Sequence, residues 1–384
     1  MMAAMSNLSS RVVPVALVLL PLCACNRLSP EMTPRVVVDA GRIVKAQVAR
    51  VDGLGDLSVL TRVAVRRGEP ARLLAIGWAG YAVLDAESLA PTQTVKFARV
   101  DDVGRMAVRD VDGDGAVEFV RLGEHWIGRT AVFALDGAMR WQDADEVQKR
   151  GPNATAVVDL DGDGRCEFVS SFNVATAMRV ADCDGKTLRE LPCAAQTGTL
   201  RAVDMDGDGK EELAALDGTA LRVLAGDGSE RLRIQAEDCG YLSTLDIVRD
   251  PTPGADRDVF LLHGSTGLSL WGFDGLRIDV GDAKAARERF ANFDGARVRV
   301  AMGGAEWDIR AGMVRQQAWP AGFVASRVRL RFFAGELAYE ELLRAPGDDE
   351  VLRTTALHAL ASESGRPACV LVGCGADVIR YRAR

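Results

Sequence analysis

Three segments of the chain match almost residue for residue: Asp110-Val-Asp-Gly-Asp-Gly-Ala-Val-Glu118, Asp159-Leu-Asp-Gly-Asp-Gly-Arg-Cys-Glu167 and Asp204-Met-Asp-Gly-Asp-Gly-Lys-Glu-Glu212, with starts 49 and 45 residues apart. A period of this length constrains the fold more than any other feature, because it implies one supersecondary unit copied along the chain. Each segment follows a β-rich apolar stretch (Met106 to Val108, Ala156 to Val158, Leu200 to Val203) and precedes another (Phe119-Val120, Phe168-Val169, Leu213 to Leu216), so each joins two strands. The same order then recurs: a short turn, a third strand, an Asp-Gly turn and a fourth strand. The pairs Asp136-Gly137, Asp184-Gly185 and Asp227-Gly228 fall 26, 25 and 23 residues after the loop start. Asp-Gly between alternating strands signals a hairpin.

Four antiparallel strands per repeat make a propeller blade, so the expected fold is an all-β propeller. Weaker copies extend the series. Asp246-Ile-Val-Arg-Asp250 leads to Asp258 to Leu262, Leu268 to Trp271 and Asp274-Gly275; Val298 to Met302, Trp307 to Arg310 and Val314 to Gln317 follow a start at Arg287 to Asn292. Upstream, Val44 to Val51 precedes Asp52-Gly53-Leu54-Gly55, a decayed loop in which Arg50 and Leu54 replace two acids, so no ion is expected there. Near the C-terminus Arg353 to Leu360, Cys369 to Val372 and Val378 to Tyr381 supply three strands. Arg35 to Val38 is expected to add the fourth, closing the ring and removing the open edge. This frame gives seven blades, with six or eight also compatible. Ala321 to Glu350 is left as an insertion, in which Glu336 to Leu343 has the spacing of a helical turn.

The repeated loop places carboxylates at positions 1, 3, 5 and 9, with glycines at 4 and 6 where the backbone turns inward. Carboxylates gathered so closely repel unless a cation sits among them. An all-oxygen donor set suits Ca²⁺ better than Zn²⁺. The expected ligands are Asp110, Asp112, Asp114 and Glu118; Asp159, Asp161, Asp163 and Glu167; and Asp204, Asp206, Asp208 and Glu212. The carbonyls of Ala116, Arg165 and Lys210 would add a further oxygen. An EF-hand needs an acid at position 12 between helices. Here position 12 is Arg121, Ser170 and Ala215, and the flanks are strands. The pattern instead resembles the FG-GAP repeats of integrin α-subunit propellers and the VCBS repeats of bacterial exported proteins, closely over 100–280 and loosely elsewhere. It departs from them in having Glu at position 9. The resemblance implies about three Ca²⁺ ions that fix hairpin loops and do no chemistry. Three such ions would bring the formal charge of −7 close to neutral. Apart from these loops the surface has no marked sign, which gives no support for nucleic-acid binding.

The N-terminus carries a separate message. Arg11 and the apolar run Val12 to Leu22 form the n-region and h-region of an export signal over 1–24, too short to span a bilayer comfortably. Leu22-Cys23-Ala24-Cys25 resembles the lipobox of bacterial lipoproteins, with Cys25 as the lipidated mature N-terminus; an ordinary cleavage after Ala24 is the alternative. The segment 25–34 reads as anchor site and tether, and 35–384 as the propeller. Asn26 after the lipid cysteine favours the outer membrane in a Gram-negative cell, by analogy with other lipoproteins. Export into an oxidising compartment makes disulfides plausible among Cys166, Cys183, Cys193, Cys239, Cys369 and Cys374. A hairpin centred near Asn173-Val174-Ala175 sets Cys166 opposite Cys183, and Cys193 to Cys239 is the next candidate pair.

No Gly-x-Ser-x-Gly elbow, His-Glu-x-x-His or phosphate loop is present. If the resemblance extends to loop placement, the face opposite the acidic loops carries Trp78, His125, Trp126, Phe172, Asn173, His263 and Trp307. Aromatic side chains on adjoining loops suit a sugar or a protein partner, although isolated aromatics near strand ends also serve as core. The expectation is a calcium-stabilised binding or scaffold module at the surface or in the periplasm, recognising a glycan or an envelope protein. A carbohydrate-active lyase or hydrolase stays open, because fold does not decide function.

Overall fold

In a computed structural model, the chain is described for residues 43–98, 105–123, 129–143, 153–172, 176–193, 197–249, 257–279, 295–302, 304–318, 322–334, 336–344, 355–362 and 367–383. Among these, 28 strands pair antiparallel into seven sheets of four. Strand β1 (Ile43–Arg50) belongs to the last sheet. The first blade is β2 to β5 (Leu57–Val63, Arg72–Gly77, Gly80–Leu84, Pro91–Lys96) and the second β6 to β9 (Arg105–Arg109, Glu118–Leu122, Ala131–Phe133, Met139–Gln142). The third is β10 to β13 (Ala154–Val158, Glu167–Ser171, Ala177–Ala181, Thr187–Pro192) and the fourth β14 to β17 (Leu200–Val203, Glu212–Asp217, Ala220–Leu224, Glu230–Gln235). The fifth is β18 to β21 (Leu242–Arg249, Asp258–Gly264, Leu268–Gly272, Arg277–Ile278) and the sixth β22 to β25 (Gly295–Met302, Ala305–Ala318, Gly322–Ala334, Glu336–Arg344). The seventh, β26 to β28 (Thr355–Leu360, Cys369–Cys374, Asp377–Ala383), takes β1 as its outermost strand.

The second strand of a blade is covered on both faces by neighbouring sheets, which is why burial along it is continuous rather than alternating. Strands β7, β11 and β27 are buried at every position, whereas the outer strands β5 and β13 are mostly exposed. Buried clusters span neighbouring blades. Tyr81, Phe97, Phe119 and Phe133 join the first to the second, with Tyr81 stacked on Phe119 at 4.2 Å between ring centroids. Trp307, Phe332 and Tyr381 join the sixth to the seventh.

The Asp-Gly turns are hairpins with a bulge. Gly137, Gly185 and Gly228 have φ of 83°, 80° and 86°, a conformation that glycine alone adopts at no steric cost. One residue of the fourth strand is skipped in each pairing, between Val132/Phe133, Val180/Ala181 and Val223/Leu224.

Four expectations are corrected. The closing strand is Ile43–Arg50, paired with β28 from Ile43↔Ala383 to Arg50↔Asp377; Arg35 to Val38 lies outside the described residues. The Asp52 to Gly55 segment is therefore the link from the seventh blade to the first, and the first blade's counterpart of the acidic loops is the turn from Val65 to Ala71. Its Arg67 N–H donates to Gly115 O at 2.5 Å. The segment expected as an insertion supplies β24 and β25: Glu336 to Leu343 is strand, because pairing with β24 overrides its helix-forming composition. No disulfide joins Cys166, Cys183, Cys193, Cys239, Cys369 and Cys374. The β11–β12 ladder has the expected register, but it ends at Phe168↔Ala181, before Cys166 and Cys183, where the chains diverge into the acidic loop and the Asp-Gly turn. Cys166 Sγ lies 3.8 Å from Asp110 O, and Cys183 Sγ accepts from Arg165 Nη2 at 2.9 Å.

Closure is reinforced by Arg380, whose Nη1 donates to Gln47 Oε1 at 3.0 Å and to Glu87 O at 2.7 Å, tying β28 to β1 and to the first blade. A chain beginning at Val51 would leave β28 with an unpaired edge. It is expected to melt at lower temperature than the full chain and to elute as oligomers in size-exclusion chromatography. A monomer with an unchanged melting curve would contradict the assignment of β1.

Candidate metal centres

In the second, third and fourth blades the acidic segment links the first strand to the second, with the same geometry three times. The position-1 carboxylate accepts the N–H groups at positions 4 and 6: Gly113 and Gly115 on Asp110 at 2.8 and 2.9 Å, Gly162 and Gly164 on Asp159 at 2.8 and 3.0 Å, and Gly207 and Gly209 on Asp204 at 2.7 and 3.2 Å. Both glycines have positive φ in every loop. The position-5 aspartates Asp114, Asp163 and Asp208 accept the N–H at position 7, at 2.7, 2.7 and 2.8 Å. The position-9 glutamate begins the second strand and turns back to accept the N–H of position 2: Val111 on Glu118 at 3.0 Å, Leu160 on Glu167 at 2.9 Å and Met205 on Glu212 at 3.0 Å. All three glutamates are buried.

Backbone bonding leaves carboxylate oxygens facing one another. One oxygen each from Asp110, Asp112 and Glu118 lie within 4.8 Å of one another, as do those of Asp159, Asp161 and Asp163, and of Asp204, Asp206 and Asp208. Such groups repel without a positive charge among them. The donors are all hard oxygens, the set that Ca²⁺ takes. Glu118 Oε1 is buried with no hydrogen-bond partner, a vacancy that is costly for a charged group. The residues therefore fit a calcium ion.

The loops lie side by side. Cys166 N donates to Val111 O at 2.9 Å and Glu211 N to Asp159 O at 3.0 Å, so each loop is stitched to the next. The Glu211 carboxylate strengthens the second seam. Its Oε2 accepts Asp159 N at 2.8 Å and lies 2.9 Å from Arg109 Nη2 of the second blade. Two further residues went unread in the sequence. Arg140 pairs with Asp112 and lies 3.3 Å from Glu118 Oε1, and Arg231 lies 2.8 Å from Asp206 and 2.5 Å from Glu212. The only signal for them was their place four residues after Asp136 and Asp227.

The aromatic face is less coherent. Trp78 is half-buried in the turn between β3 and β4, against Gly55. Phe172 is buried, with Arg179 over its ring at 5.5 Å. His263 is the penultimate residue of β19 rather than part of a turn. Trp307 is a core residue, 2% exposed, with Nε1 donating to Met302 O at 2.9 Å, and leaves the face altogether. His125, Trp126 and Asn173 lie outside the described residues, as does Cys25. Polar burial concentrates at this end of the second and third blades: Thr130, Thr155 and Ser170 form a hydroxyl chain at 3.1 and 3.2 Å. Asn153 Nδ2 and Ser171 Oγ both donate to Thr197 O at 2.7 Å.

No protein-family model and no curated protein matches the chain. Among solved structures, the Pan2 WD40 domain of Neurospora crassa is 12% identical with a TM-score of 0.47, the match covering 90% of this chain and 96% of that one. BBS1N, solved in complex with ARL6DN, is 7% identical with a TM-score of 0.48, covering 89% and 97%. The V. cholerae biofilm matrix protein Bap1 is 12% identical with a TM-score of 0.34, covering 82% and 66%. These scores carry no argument about the site, and the seven-bladed architecture rests on the strand pairing above.

Burial pushes the Glu118 carboxyl up from 4.5 to about 7, against the lowering effect of the Val111 N–H and Arg140. Its proton is thus bound more tightly in the folded chain. In metal-free protein this stabilisation is fully present below about pH 4.5 and is lost as pH rises through about 7. Glu118→Gln removes that dependence. In excess chelator, the melting temperature of the variant should fall less than that of the parent between about pH 5 and about pH 8; parallel curves would contradict the assignment.

Proposed function

We propose that the chain is a calcium-stabilised propeller of the FG-GAP/VCBS kind, held at the cell envelope by an N-terminal lipid. It serves as a binding or scaffold module for a glycan or an envelope protein. The observation that carries this reading is the threefold carboxylate cluster: the same nine-residue geometry in three successive blades, with an all-oxygen donor set. In the second loop the ion would be held by Asp159, Asp161, Asp163 and Glu167, with the Arg165 carbonyl adding an oxygen, and the other loops follow the same pattern. The ion supplies positive charge that lets the loop keep its carboxylates together, and so fixes the link between the first two strands of the blade. At the opposite strand ends Phe172 and the Thr130, Thr155 and Ser170 hydroxyls are buried, so among the described residues of that face the half-buried Trp78 is what supports it as the recognition face.

A ligand that binds only the native state at a hundred times its Kd stabilises it by about 2.7 kcal/mol. Excess chelator should therefore lower the melting temperature by several degrees. Asp161→Asn with Asp163→Asn should remove about one third of the calcium-dependent shift, if each site contributes alike. A melting curve that chelator leaves unmoved would overturn the calcium reading.

The anchor is tested separately. Cys25→Ser should shift the protein from the membrane fraction to the soluble fraction, because one acyl-bearing terminus is the attachment this reading offers. Retention of the variant in the membrane fraction would show that something other than Cys25 holds it.

A further inference from the structure

The three acidic loops differ at one position that lies outside them. The fourth strand of each blade carries a bulge just after its Asp-Gly turn, where one residue is skipped: Arg140 between the pairs Val132↔Trp141 and Phe133↔Met139, Leu188 between Val180↔Arg189 and Ala181↔Thr187, and Arg231 between Val223↔Leu232 and Leu224↔Glu230. In the second and fourth blades the bulge residue reaches the acidic loop of its own blade. Arg140 contacts Asp112 and Glu118 and lies 3.9 Å from Asp114, and Arg231 contacts Asp206 and Glu212. In the third blade the position is Leu188, which is 51% exposed. The Lys210 stem lies against Gly162. Among the described residues, however, no lysine or arginine comes within ion-pair distance of Asp159, Asp161, Asp163 or Glu167.

A guanidinium among the carboxylates supplies part of the charge that a bound ion would supply. It is a monovalent planar donor, and it cannot meet every oxygen of the cluster. Glu118 Oε1 shows the shortfall directly: it is fully buried and aimed into the first cluster, yet has no hydrogen-bond partner although Arg140 stands 3.3 Å away. A divalent cation entering this loop has to displace the arginine from Asp112. In the third blade's loop, where Leu188 takes the bulge position, no guanidinium has to be displaced.

We infer that the bulge residue grades the three loops: the loop of the third blade, opposite Leu188, is the tight calcium site, while Arg140 and Arg231 make the flanking two weaker sites that open only as the guanidinium leaves. This rests on the calcium reading above and adds an order of filling to it. The loops are stitched through Cys166 N to Val111 O and Glu211 N to Asp159 O, so the first ion enters the middle of the row.

The test is calorimetric titration of the metal-free full chain with calcium alone. The parent should show one tight site and two that are about tenfold weaker, the scale of a hydrogen-bonded contact between a guanidinium and a buried carboxylate. Arg140→Leu with Arg231→Leu should tighten the two weak sites by about tenfold and leave the first unchanged. Leu188→Arg, a substitution at an exposed position that the fold should tolerate, should weaken the tight site by a similar factor. Three equal sites in the parent would overturn the grading and leave the calcium reading intact, as would affinities that fall, or do not change, when the arginines are removed. Folded parent protein that binds no calcium would overturn both.

Discussion

A four-stranded sheet with two apolar faces can bury neither alone, and every blade of this protein depends on that constraint. The second strands β7, β11 and β27 are buried at each position only because a sheet lies on both sides. Removing one blade would uncover a face of two others. The same requirement explains closure. A row of blades ends in two naked faces, so the chain takes β1 from its N-terminal side and pairs it with β28. Ile43 and Tyr381 then enter the cluster shared with the sixth blade.

The acidic loops are the polar counterpart of that packing. Each is anchored at one end by a buried glutamate that begins a central strand, Glu118, Glu167 or Glu212, and that holds the position-2 N–H of its own loop. The loop is thereby fixed to the most buried strand of the blade, and a change in its charge state is felt there. Gathering four carboxylates on such a strand is unfavourable without a counter-charge. The chain meets part of that need internally through Arg140 and Arg231 and leaves it unmet in the third blade. On the proposed reading, a calcium ion supplies the rest.

How much of this was legible in the sequence depended on how local the signal was. The loops and Asp-Gly turns were readable because carboxylate spacing and obligatory glycine conformations are written within nine residues. Frame and closure were not. Asp52-Gly53-Leu54-Gly55 resembles a worn copy of the loop, yet it links two blades, while the true counterpart from Val65 to Ala71 keeps a single acid, Glu69. The sixth blade was misread for a related reason. Its strands Ala305–Ala318 and Gly322–Ala334 exceed the period set by the other blades, and Glu336–Arg344 is rich in helix formers whose conformation is decided by pairing with β24. Trp307 looked like a surface aromatic because its partner, the Met302 carbonyl, becomes a neighbour only when a hairpin forms. Arg140 and Arg231 carry no local sign of their role, because a bulge that exists only once the strands pair turns them onto the loops.

The most direct test of the central claim is a crystal structure of the full chain grown with calcium, with anomalous differences measured to locate the ions. The account predicts peaks in the acidic loops of the second, third and fourth blades, each about 2.3–2.6 Å from carboxylate oxygens, with Glu118 Oε1 among the ligands of the first and the third-blade peak the strongest at limiting calcium. Loops without peaks at saturating calcium, with Arg140 and Arg231 still seated among the carboxylates, would contradict it.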